Sequence, residues 1–194
     1  MILLRFTGEG EVFYLQSRVG FKGKIFKVFK FATMKKDSPN IGSGTLTMKN
    51  DDRILPIGIF LRKYKINEIP QLINIVLGQM SVVGPRPLVK SGEMNYSNSQ
   101  AALIRSVRPG LTGIGSLLLR DEESLYGHRT DASEFYKNKI SPYKAELEIW
   151  YVKNQSLLLD ISIIFLTLFA ILFPRLRVED LFSSIPKPPK DLKN

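Results

Sequence analysis

A chain of 194 residues, 44% hydrophobic and 24% charged, is long enough for one domain with a real core and too apolar to remain disordered as a whole. The lack of cysteine excludes disulfides, thiol nucleophiles and thiolate metal sites, and a single histidine, His128, excludes a His-rich metal centre. The net charge of +10 calls for an anionic partner: nucleic acid, lipid headgroups or a nucleotide substrate.

Residues 1–6 are apolar but too short for a signal peptide. Residues 1–30 read as strand and turn, with Gly8 and Gly10 near the start and a mixture of aromatic and β-branched residues over 11–16. Phe21, Ile25, Phe26, Phe29 and Phe31 then alternate with Lys22, Lys24, Lys27 and Lys30, a pattern that suits either a strand or a short helix. Residues 35–52 are polar and rich in Gly, Ser, Asn and Asp, which predicts a loop. A short helix is expected over 53–65, after a turn at Pro56. A second helix is expected from about Asn67, which would serve as its N-cap with Pro70 in the first turn. Ile69, Leu72, Ile73, Val76 and Leu77 form an apolar stripe at helical spacing, ended by Gly78.

Residues 80–83 predict a short strand, followed by a Gly-Pro-Arg-Pro turn at 84–87. Residues 91–107 read as a polar helix or loop, and Arg108-Pro-Gly-Leu-Thr-Gly as a second tight turn. The polar stretch 120–142, with the isolated His128, is expected at the surface. One long helix is predicted over 142–173. Its apolar half reaches only the bottom of the roughly 17–25 residues that span a bilayer, so it is expected in the interface or the core. Arg175 and Arg177 follow, and Lys187, Pro188, Pro189 and Lys190 mark a basic, Pro-containing tail (175–194) expected to be disordered. There is no internal repeat.

The chemistry concentrates in residues 59–88. Glu68 stands at an expected helix start, Arg62 precedes it and Arg86 follows in the turn, a plausible set of parts for handling a phosphate ester. Each residue also has a plainer reading. Glu68 suits a first-turn acid stabilised by the helix dipole, worth roughly 0.3–1 kcal/mol. Asn67 suits a cap and nothing more. Arg62, beside a lysine, suits a solvated charge. Arg86, between two prolines, favours bidentate anion recognition over a structural salt bridge. The lysine run 22–36 is either a solvated face or one turned to anionic lipid.

Five ordered blocks resemble the bacterial sugar transferase family, the monotopic polyprenyl-phosphate phosphoglycosyl transferases. They are Phe13-Tyr-Leu-Gln-Ser-Arg-Val-Gly, Phe26-Lys-Val-Phe-Lys-Phe-Ala-Thr-Met, residues 61–88, Arg108-Pro-Gly-Leu-Thr-Gly and residues 146–167. The resemblance implies an α+β fold, with a small mixed sheet or hairpin packed with several helices in a membrane-associated monotopic architecture. It places the transferase domain at 1–174, with the N-terminal re-entrant helix largely absent. It implies a transferase of cell-surface polysaccharide biosynthesis, at the cytoplasmic face of the cytoplasmic membrane. The sugar phosphate would pass from a nucleotide diphosphate sugar to polyprenyl phosphate, with Mg²⁺.

Family members use an Asp-Glu pair whose Asp attacks the phosphate. Here the pair is Asn67-Glu68, and Ala32 stands where the family usually has an arginine. The resemblance implies catalytic positions at Asn67 and Glu68, with Glu68 also the metal ligand, and substrate contacts from Arg62, Arg86, Lys30 and Arg108. The expected partners are the two substrates and an anionic membrane surface. Nucleic acid is not expected, since no helix-turn-helix, RNA-recognition or zinc motif is present. The amide at Asn67 sets a second expectation beside the first: a catalytically silent relative that binds nucleotide sugar or lipid phosphate, or scaffolds a partner.

Overall fold

The structure, a computed structural model, describes residues 2–42, 46–48, 50–126, 129–173, 181–182 and 184–192; His128, Arg175 and Arg177 lie outside the described residues. After a first short helix, α1 (Ile2–Thr7), strands β1 (Phe13–Val19) and β2 (Ile25–Phe31) form an antiparallel hairpin. The strand alternative therefore holds for the Phe/Lys alternation. Period-two geometry puts Tyr14, Gln16, Arg18, Phe26, Val28 and Lys30 on one face, with Tyr14 opposite Lys30 and Arg18 opposite Phe26. Phe26 and Val28 are buried with Met80, so this face is the one turned to the protein.

Helix α2 (Pro56–Lys63) ends before Lys65, whose φ of 56° is left-handed. A 3-10 segment, Ile66–Gln71, runs into the short helix α3 (Leu72–Val76). The expected N-cap is corrected here. The turn starts at Lys65, Asn67 lies inside it, and no side chain caps it. Pro70, which lacks an N–H, is accommodated by the tighter 3-10 winding.

The polarity of this segment is inverted relative to a core helix. Asn67, Glu68, Gln71 and Asn74 are buried, whereas Ile69, Leu72, Ile73, Val76 and Leu77 are all exposed, Val76 at 88%. Asn74 makes the inversion possible. Its Oδ1 accepts from the Phe29 N–H (3.0 Å) and its Nδ2 donates to the Lys27 carbonyl (2.8 Å) and to Gln79 Oε1 (2.7 Å). The side chain thus supplies β2 with the partners that a neighbouring strand would give.

Strand β3 (Ser81–Val83) pairs in parallel with β4 (Gly110–Thr112), and α4 (Lys90–Glu93) and α5 (Asn98–Ile104) fill the crossover. Gly84 lets the two following turns meet backbone to backbone. A Cβ there would lie 2.5 Å from the Arg108 carbonyl oxygen and 2.9 Å from the Gly110 nitrogen. Mutual bonds hold the contact: Gly110 N–H to Pro85 O at 2.9 Å and Gly84 N–H to Thr112 O at 3.0 Å.

Short helices α6 (Ile114–Leu118), α7 (Glu123–Tyr126) and α8 (Ala132–Phe135) lead through a π-helical turn, Tyr136–Ile140, into α9 (Ser141–Asn154). The expected surface stretch 120–142 is corrected by Tyr126, Phe135 and Ile140, which are core residues packed around Leu147 and Tyr151 of α9.

The expected single helix over 142–173 is two. The chain turns extended at Gln155 (ψ 131°), and Ser156 caps α10 (Leu157–Leu172) by accepting from the Leu159 N–H. Leu157, Leu158, Phe165 and Leu172 are exposed on α10, with only Ile163 and Ala170 buried. Among the described residues no helix is long and apolar enough to cross a membrane. Part of the tail expected to be disordered instead docks on the core: Ile185 and Leu192 are buried, and the Tyr143 hydroxyl donates to the Pro186 carbonyl at 3.0 Å.

Candidate active site

The inverted segment turns Glu68 towards the 84–87 turn. Arg86 Nη2 donates to Glu68 Oε1 at 2.7 Å and Nη1 to Oε2 at 3.4 Å, a two-pronged ion pair largely shielded from water. Asn67 lies next to it, buried, with its Oδ1 bonded to nothing. Capping therefore does not account for this amide, and a buried acceptor without a partner is costly unless something fills it.

The charged face of the hairpin closes over the pair. Lys30 of β2 and Arg18 of β1 line one small recess with Gln71, Arg86 and Pro87. Arg18 Nη1 donates to the Pro87 carbonyl at 2.9 Å, tying the hairpin to the turn, and its Nη2 donates to Gln16 Oε1 at 2.6 Å. Arg62, at the end of α2, donates to Glu123 Oε1 and Thr47 Oγ1, both at 3.2 Å. Ala32 is buried with its N–H on the Val12 carbonyl.

Protonation follows from this crowding. Burial on its own would raise the Glu68 carboxyl, but Arg86, then Lys30 and Lys65, hold it far below the usual carboxylate range. Glu68 in turn raises Arg86. Burial lowers Lys30 well below the ordinary lysine value, with Arg18 adding to the effect, and burial lowers Arg18 to about 10 and Lys65 as well. Arg18, Lys30, Arg62, Lys65 and Arg86 thus share a site with the carboxylates of Glu68 and Glu123, and Glu122 also acts on Arg86. Lowered lysine and arginine values mark a place that an anion would relieve.

The structure brings Asn67, Glu68, Arg86 and Lys30 together and sets Arg62 at the edge of the same field. It directs Arg108 elsewhere: Nε donates to the Gly78 carbonyl at 3.0 Å, and the guanidinium lies 5.9 Å from the centre of the Phe21 ring. Three members of the site were not picked out from sequence: Arg18, Lys65 and Gln71. Arg18 was accessible through the period-two pattern Tyr14, Gln16, Arg18, which shares a face with Lys30. The left-handed Lys65 carried no sequence signal. Among the described residues no group of three or more His, Cys, Asp or Glu residues could hold a metal ion by itself.

Comparison with known proteins converges on one family. The bacterial sugar transferase family model matches residues 1–174. The exopolysaccharide production protein ExoY of Rhizobium meliloti is 33% identical over 189 residues, covering 90% of this chain and 76% of the relative. The uncharacterized sugar transferase EpsL of Bacillus subtilis is 35% identical, with 85% of this chain and 72% of the relative covered. The UDP-glucose:undecaprenyl-phosphate glucose-1-phosphate transferase of Klebsiella pneumoniae is 37% identical over 84% of this chain but only 33% of its own length. The chain belongs to the bacterial sugar transferase family.

Proposed function

We propose that this protein moves a sugar phosphate from a nucleotide diphosphate sugar to polyprenyl phosphate in exopolysaccharide biosynthesis. The observation that carries the reading is the buried Glu68–Arg86 pair inside a ring of cations, a site built for a doubly charged diphosphate. Arg86, Lys30 and Arg18 bind and orient the phosphates. An amide at Asn67 has no anionic oxygen with which to attack phosphorus, so the acceptor phosphate attacks directly. Its oxygen bonds to the sugar-bearing phosphorus as the bond to the nucleoside monophosphate breaks, and that monophosphate leaves.

Glu68 and Asn67 would hold Mg²⁺: a carboxylate and a buried amide oxygen without a partner are two oxygen donors of the kind a hard cation takes. When bound, it neutralises charge on the transferring group.

A membrane-surface location accompanies this reading. The hairpin leaves Leu15 and Ile25 exposed, α2 leaves Ile59 and Phe60, and α3 leaves Leu72, Ile73 and Val76, on a chain of net charge +10. Such a surface fits anionic lipid at the cytoplasmic face.

The buried amide also favours a second reading, a family member that binds nucleotide sugar without turnover. One assay separates the two: incubation with a panel of nucleotide diphosphate sugars, undecaprenyl phosphate and Mg²⁺, following release of nucleoside monophosphate. Release by the wild type that is lost in Glu68→Gln supports transfer. Silence of the wild type with activity gained in Asn67→Asp supports binding alone.

A further inference from the structure

Behind the 84–87 turn lies a carboxyl to which the proposed chemistry gives no role. Glu148 of α9 is 2% exposed, and its Oε1 accepts from the Arg86 backbone N–H at 3.2 Å. Its Oε2 is buried without a partner. Helix α6 offers Gly115 at the contact, where a Cβ would lie 2.6 Å from Oε1, so the carboxyl is wedged between two helices and the turn. A cavity of about 30 Å³ adjoins it, with room for one or two waters.

We propose that Glu148 is a positioning residue: its carboxyl is the strut that sets where the 84–87 turn, and with it the Arg86 guanidinium, stands in the anion site. The substrate part of this proposal rests on the phosphate reading of that site; the strut does not.

The groups around Glu148 decide how it behaves. Lys144, on its own helix, is engaged with Glu122 at 2.7 Å. Arg86 faces it from the turn. Tyr151 lies one turn further along α9, Tyr96 faces it from the α4–α5 connection, beside the Glu93–Arg105 ion pair, and α6 presents Gly115. Burial outweighs the Arg86 N–H and the two cations and pushes the carboxyl up to about 7. Either protonation state keeps Oε1 as an acceptor. The ionised state adds a negative charge behind the phosphate site, which weakens anion binding above neutral pH.

The test has a ligand-free arm and a ligand arm. In detergent micelles, the Arg86 amide resonance of the wild type shifts with an inflection near pH 7 and exchanges slowly with solvent. Glu148→Gln keeps the slow exchange and loses the inflection; Glu148→Leu loses the protection. An Arg86 amide that stays protected in Glu148→Leu overturns the strut; one that titrates alike in wild type and Glu148→Gln overturns the titrating charge behind the site. With UDP-glucose, wild-type affinity falls severalfold between about pH 6 and pH 8, and the fall is smaller in Glu148→Gln, which keeps only the pH dependence of the site's own lysines, Lys30 and Lys65. Equal pH dependence in the two proteins also overturns that charge. A wild type that binds no UDP-glucose at either pH refutes the substrate reading, and the Arg86 amide still decides the strut.

Discussion

Breaking the Glu68–Arg86 pair from either side should cost nearly as much as removing both partners. The two charges are in two-pronged contact at 2.7 and 3.4 Å, with side-chain exposures of 12% for Glu68 and 28% for Arg86. At about 4 Å between charge centres and an effective dielectric of about 20, the attraction is about 4 kcal/mol. Removing one partner of such a pair costs roughly 3–5 kcal/mol, because it strands the other charge in the interior. Arg86→Met and Glu68→Gln should each lose about that much. The double variant should lose far less than the sum, with a coupling energy near the upper end of the usual 0.5–3 kcal/mol.

Urea unfolding followed through the single tryptophan, Trp150, which packs 6.3 Å from the Phe182 ring, provides the measurement. The pH dependence has a fixed sign. Glu68 is held below its unfolded value, so the stability it contributes is present above about pH 4.3 and is lost as pH falls towards the folded value. Without Arg86, burial lifts the Glu68 carboxyl, so the gap between wild type and Arg86→Met narrows as pH falls from 7 towards 4. Additivity of the two single losses within about 0.5 kcal/mol at pH 7 would refute the reasoning.

Three further outcomes are expected. Asn74→Ala removes the two bonds that hold α3 against β2 and a third to Gln79, and should destabilise by about 2–3 kcal/mol, lowering Tm by several degrees in a thermal melt. Gly84→Ala drives a methyl against the Arg108 carbonyl oxygen and should cost roughly 1–3 kcal/mol; UDP-glucose titration should show weaker binding alongside the lower Tm. Val76→Ser with Leu77→Ser, the exposed last residue of α3 and the one that follows it, should leave unfolding within about 0.5 kcal/mol of wild type. The same pair should cut co-sedimentation with anionic vesicles at least about ten-fold, since each side chain buries apolar surface worth roughly 1.5–3 kcal/mol.

Much of this architecture was legible in the chain. The helix at 56–63, the strand at 81–83 and the Gly78 stop follow from local chemistry: a proline at N1, a β-branched run, a glycine at positive φ; Arg86, expected to favour an anion over a structural salt bridge, is instead paired with Glu68. The sense of the 66–77 segment was not legible. An apolar stripe at helical spacing normally faces a core, and nothing local says that Asn67, Gln71 and Asn74 would be turned inward instead. That choice depends on β2, more than forty residues away, whose open edge needs the Asn74 amide. The polar residues of 120–142 concealed Tyr126, Phe135 and Ile140 for a similar reason: short helices bury one or two side chains each, too few to form a periodic signal. Arg108 was misdirected because the backbone of its turn does approach residues 84–87, while its side chain leaves for Gly78.

The Arg86–Glu148 contact sets an order of assembly. Glu68 and Arg86 are near neighbours in the chain, but the acceptor for the Arg86 N–H comes 62 residues after it, on α9. A nascent chain that has emerged only as far as β4 holds the ion pair without its support, and the 62-residue closure to α9 has still to form. The anion site therefore completes late, once α9 has seated against α6. A chain interrupted before α9 would present its ring of cations around a turn held by β4 and Arg18 but without the Glu148 acceptor.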